Sequence, residues 1–113
     1  MSYDLEERCA KFGEDVIKFC MTLKINEFTK SLINQLIRAA TSIGANYMEA
    51  NQASSKRDFK NKIRISQKES NESKHWLRMI SVTNPSRKEE CRKLWKEAHE
   101  LTLIFAKISK SCN

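Results

Sequence analysis

The 113-residue chain is 31% charged and 40% hydrophobic, enough for one domain with a real core and too short for two. Its net charge of +7 is unevenly placed: residues 1–53 hold 6 basic and 7 acidic side chains, residues 54–84 hold 8 and 3, and residues 85–113 hold 7 and 4. No apolar run approaches the roughly 20 residues of a membrane span, and the acidic opening Met1–Glu7 is unlike a secretory signal. A cytoplasmic protein without membrane contact is therefore expected.

Only Gly13, Gly44 and Pro85 interrupt the backbone, so long helices are the natural reading. A first helix is predicted from about Asp4 to Leu23, with apolar positions Leu5, Cys9, Phe12, Val16, Phe19 and Leu23 spaced by three and four. A second starts near Asn26 or Glu27 and runs to about Gln52, through Phe28, Leu32, Leu36, Ala39, Ile43, Tyr47 and Ala50. Ser54 or Ser55 is suited to cap a third helix, with Asp58 in its first turn. That helix is expected to bury Phe59, Ile63, Ser66, Ser70, Ser73, Leu77 and Ile80. Asn84-Pro85-Ser86 reads as a turn, with Ser86 capping a fourth helix through Cys91, Leu94, Ala98, Leu101, Phe105 and Ile108. No segment alternates at period two. The chain reads as all-α, a single domain over residues 1–113, folded as an up-down four-helix bundle.

Two helices carry more apolar surface than one core face requires. The second has an extra strip of Ile33, Ile37, Ala40, Gly44 and Met48, and the fourth has Trp95, Thr102, Leu103 and Ala106. Either these cover a neighbouring subunit, or a wide arc packs on two helices of the same bundle. On the third helix Ser66, Ser70 and Ser73 face inward, opposite a second helix rich in Ala39, Ala40, Gly44 and Ala45. Such small side chains predict close helix packing rather than chemistry.

The most informative pattern lies on the third helix. At about 100° per residue, Lys56, Arg57, Lys60, Arg64, Lys68, Lys74 and Arg78 share an arc of about 120°. Its other members are Gln67, Asn71 and His75, while Asp58, Glu69, Glu72 and Lys62 lie outside it. A solvated face usually mixes signs, because like charges at i,i+4 cost a few tenths of a kcal/mol. This one-sign stripe, about 33 Å long, predicts a polyanionic partner, and its seven cations are the candidate nucleic-acid contacts. Only His75 adds a ring to the face, which favours backbone or shape recognition over base reading.

Other constellations point away from catalysis. Glu72 and His75 have the Glu-x-x-His spacing of a di-iron bundle, yet the second copy such a site needs is missing. Neither His75 nor His99 has a serine or cysteine partner at readable spacing, and no glycine-rich phosphate loop exists. Cys9, Cys20, Cys91 and Cys112 lack C-x-x-C spacing; antiparallel first and fourth helices would bring Cys20 near Cys91 and Cys9 near Cys112, as free thiols. Arg38, Ser42, Asn46 and Glu49 line the polar flank of the second helix, as a ligand contact or a hydrogen-bonded ladder fixing helix orientation. No cofactor or metal is expected.

Ser42-Ile43-Gly44-Ala45-Asn46, Glu49-Ala50, Asp58-Phe59, Lys62-Ile63-Arg64-Ile65, Lys68-Glu69, Glu72 and Trp76-Leu77 together resemble the ribosomal RNA intervening-sequence proteins. These are bacterial four-helix bundles whose founding members are encoded in insertions within the 23S ribosomal RNA gene. The similarity covers about residues 28–108, and its specificity lies in Ser42–Leu77. The resemblance implies a bundle that assembles into a ring, a homopentamer, with a nucleic-acid-associated role and no catalysis. A related bundle is the accessory protein of diversity-generating retroelements, where a basic ring supports a reverse transcriptase and its RNA. One common branch carries two arginines where Ile37-Arg38 stand here, so a contact made by that pair is not available as a pair in this chain.

The leading expectation is a non-enzymatic homo-oligomer that binds structured RNA or another nucleic acid through the stripe. Lys60, Arg64 and Lys68 would sit at its centre, with Lys56, Arg57, Lys74 and Arg78 extending the track. The alternative is a protein-interaction scaffold or accessory subunit, for example of a reverse transcriptase, whose basic face meets an acidic protein. A metal-dependent bundle enzyme is the third reading.

Overall fold

A computed structural model describes residues 2–112, with side chains from Asp4 onward. Four helices follow one another: α1 (Ser2–Met21), α2 (Thr29–Asn51), α3 (Lys56–Thr83) and α4 (Lys88–Ser111). Short connections turn each helix back on the last, and each packs on its neighbours in the order α1–α2–α3–α4, closing from α4 to α1. The up-down four-helix bundle is as predicted, with extents of 44 × 20 × 20 Å.

The helix ends show how local chemistry set the breaks. Asn26 heads α2: its Oδ1 accepts from the Phe28 and Thr29 amides at 2.8 and 3.0 Å, and its carbonyl accepts from the Lys30 amide. Helical bonding thus begins at the residue the sequence indicated, although the regular helix starts at Thr29. Ser55 caps α3, its Oγ accepting from the Asp58 amide at 3.0 Å. Ser86 does not cap α4. Pro85 opens a 3-10 turn, Pro85–Arg87, which takes Ser86 inside it and delays α4 to Lys88.

The core joins Phe12, Val16 and Phe19 of α1, Leu36, Ile43 and Tyr47 of α2, Ile63, Leu77 and Ile80 of α3, and Leu101 and Phe105 of α4. Phe59, expected to be buried, is only partly so, like Leu5, Leu32, Leu94 and Ile108 of the predicted stripes, and Phe28, just ahead of the regular part of α2, is 69% exposed. The Tyr47 and Phe105 rings meet edge to face at 5.6 Å, a contact worth about 0.5–1.5 kcal/mol beyond burial.

Ser66, Ser70 and Ser73 are all buried as predicted. Ser66 donates across the seam to the Ile43 carbonyl of α2 at 3.0 Å, while Ser70 and Ser73 bond back to the Ser66 and Glu69 carbonyls of their own helix at 2.8 Å each. Facing small residues are fewer than expected: Ala39 and Ala40 are buried, but Gly44 faces Cys9 of α1 and Ala45 is exposed. The extra strip of α2 divides in the same way. Ile33 and Ala40 enter the core, whereas Met48 remains 52% exposed.

All four cysteines are free thiols. Burial raises the Cys9 thiol to about 12 and the Cys20 thiol to about 11, so both are neutral and unreactive at neutral pH.

Candidate nucleic-acid interface

The site is built by the two flanks of α3. On the flank toward α2, the acids of α3 are neutralised. Glu69 and Glu72 accept from Arg38 of α2 at 3.5 and 3.4 Å, and Lys62 meets Glu49 at 2.9 Å. Within α2, Ser42 donates to the Arg38 carbonyl at 2.6 Å and Asn46 to the Ser42 carbonyl at 2.8 Å. Arg38 and Glu49 thus tie α2 to α3, while Ser42 and Asn46 bond back along α2 itself.

The other flank holds the predicted stripe. Lys56, Arg57, Arg64, Lys68 and Arg78 are exposed, and Lys60 and Lys74 are half-buried. Among the described residues, Lys56, Arg57, Arg64, Lys68, Lys74 and Arg78 have no carboxylate within ion-pair distance. Lys74 is not a free cation, however. Its Nζ donates to His99 Nδ1 of α4 at 3.0 Å and lies 5.2 Å from the Trp95 ring centroid. An ammonium can only donate, so Nδ1 is the acceptor there and a neutral His99 carries its proton on Nε2.

Helix α4 sorts its charges the same way, which extends the interface beyond α3. Its acids Glu97 and Glu100 turn to α1, where Arg8 grips them at 2.8 and 2.9 Å. Its cations Lys88, Arg92 and Lys96 turn instead toward Arg78 of α3. These three were missed as site residues, although their spacing of four puts them on one face and the +3 excess of residues 85–113 signalled it. The azimuth of that face relative to α3 required the folded bundle.

Lys74 divides the α3/α4 seam into two grooves. One is polar, about 440 Å³, lined by Arg64, Gln67, Lys68, Asn71 and Thr102. The other is about 370 Å³, with Leu77 and Trp95 in its lining and Arg78, Lys88, Arg92 and Lys96 around it. Arg92 is also held by Glu89 at 2.8 Å. Trp95 is 37% exposed and stacks on His99 at 5.2 Å and 17° between planes.

Glu72 is taken by Arg38, and His75 is exposed, set edge-on to Trp76. Among the described residues, no group of three or more His, Cys, Asp or Glu is placed to hold a metal. No described helix is long and apolar enough to cross a membrane. The exposed cations give this face an excess of one sign of charge, which favours anions.

The chain is similar to a crystal structure of a protein of unknown function from the S23 ribosomal protein family of Bacteroides thetaiotaomicron VPI-5482. The two share 30% identity and a TM-score of 0.86, over 97% of this chain and 99% of the other. No functionally curated protein matches. Residues 2–110 match the family described as 23S rRNA-intervening sequence protein, and the chain belongs to that family.

Proposed function

We propose that this protein is a non-enzymatic, cytoplasmic homo-oligomer that binds structured RNA through the basic face of α3. The observation that carries this is the sorting of charge. The described acids of α3 beyond its capped first turn are bound to α2, and Glu97 and Glu100 of α4 are bound to α1, so cations predominate along the α3/α4 seam, where Glu89 pairs only with Arg92. Family membership supports RNA as the polyanion. Phosphates neutralised along the 33 Å track would release counterions, giving affinity that falls steeply with salt.

Self-assembly is the second part of the reading. The α1/α2 groove, about 460 Å³, has Ile17 and Met48 exposed beside Glu6, Glu7 and Glu14. On the opposite side of the bundle, Leu103 of α4 is 56% exposed. Different patches on opposite faces suit a head-to-tail contact, which closes into a ring when the rotation permits, here a pentamer.

The test combines Lys60→Glu, Arg64→Glu and Lys68→Glu in one variant. RNA affinity should fall by at least about 100-fold at moderate salt, and the magnitude of the salt slope by about 2–3. Circular dichroism should be unchanged, and sedimentation should give an oligomer for both proteins. Undiminished RNA affinity would remove the stripe from the interface, and monomers would remove the ring.

A further inference from the structure

The Trp95 groove differs in kind from the rest of the basic face. The stripe is a row of long, flexible cations, suited to phosphates and indifferent to bases. The groove instead presents the partly exposed Trp95 ring above the fully buried Leu77, with four cations around them. His99 stacks on Trp95 without lining the groove, so it backs the indole and fixes its plane. Lys74, bonded to His99, holds the same assembly from α3. No carboxylate lines the groove itself, and Glu89 pairs with Arg92 at its rim at 2.8 Å, leaving Arg78, Lys88 and Lys96 without a carboxylate partner among the described residues.

We infer that this groove takes one unpaired nucleotide of a bound RNA strand, its base against Trp95 and its phosphates among Arg78, Lys88, Arg92 and Lys96. The inference rests on the RNA-binding reading and adds a preference within it. Three observations support the occupant. The volume of about 370 Å³ lies near the small end of ligand sites, about 300–1,000 Å³, and suits a single planar group. Every base offers a π-face, so an exposed indole accepts it without sequence reading. The groove also continues the phosphate track, since Arg78 belongs both to the stripe and to the rim. A duplex alone would leave Trp95 unused, because its bases are stacked inside. A bulge, a loop or a strand end would not.

Two hairpin RNAs test this, identical except at one bulged position that carries adenosine in one and an abasic site in the other. Both have the same phosphates, so the stripe should bind them alike. Wild-type protein should bind the adenosine hairpin about tenfold more tightly, which is about 1.4 kcal/mol and within the range for one stacked base. Trp95→Ala should bring that ratio to about one without changing affinity for the abasic hairpin, and Trp95→Phe should keep most of the preference. Equal affinity of the wild type for both hairpins, with normal salt dependence, would overturn the groove and leave the RNA reading standing. An equal loss on both hairpins in Trp95→Ala would make Trp95 structural and also overturn it, as would conversion of the assembled protein to monomers. If wild type bound neither hairpin, the RNA reading itself would fail and take the inference with it.

Discussion

Helix α3 meets α2 along one flank and α4 along the other, and the two seams are built on different principles. Toward α2 the helix offers serines and acids. The backbones come close enough for Ser66 to reach a carbonyl of α2, and the acids find Arg38. Toward α4 the same helix is also closely packed, but long cations line the outer edge of the seam beside two surface grooves. One seam is charge-balanced along its edge; the other is edged mainly by cations. Position around a single helix therefore separates the part of the chain that holds the fold from the part available to a partner.

That contrast can be broken from the side toward α2 first. Ser66→Leu inserts a branched side chain where Ser66 is fully buried and bonded across the seam, and should destabilise by about 3 kcal/mol or more in urea titration. The loss of binding at moderate temperature should then track the loss of fold. Arg38→Met is expected to cost less, about 2 kcal/mol, because it strands the buried Glu69 carboxylate but Arg38 itself is half-exposed. Glu69 Oε1 already has no hydrogen-bond partner, so Glu69→Gln should cost less than Arg38→Met; the reverse order would show that Arg38 is not what holds Glu69 in the seam. On the side toward α4, Lys74→Met should cost about 1 kcal/mol, since it removes both the hydrogen bond to His99 and the cation contact with Trp95. Its readout is Trp95 fluorescence, which should become easier to quench as the indole loses its cover; an unchanged signal would mean that Lys74 does not hold the ring.

Much of the fold was legible because the apolar steps of three and four persist in every helix. Ser55 was readable as a cap because Asp58 and an apolar period follow it, and the serine row because its spacing matches Ile63 and Leu77. Ser86 misled because a proline before it favoured a 3-10 turn, and the competition between two starts is not written in either residue. Burial of Glu69 depends on Arg38, which is 31 positions away and comes opposite only when α2 and α3 pack. The stripe on α3 needed only one helix to be seen. The groove beside it needed two, and the relative rotation of two helices is a property of their packing.

The attachment of α1 has a consequence for the order in which the protein loosens. It packs mainly on α2, and toward α4 it leaves a gap of about 450 Å³. Arg8 reaches Glu97 and Glu100 near one end of the gap, and Arg87 reaches Thr22 near the other. Exposed polar ties of this sort exchange readily with water, unlike the buried seam between α2 and α3. Local opening should thus begin with α1 swinging from α4, while α2, α3 and α4 remain a packed unit. The basic face lies within that unit, so the element that breathes first is not one that carries the proposed RNA surface.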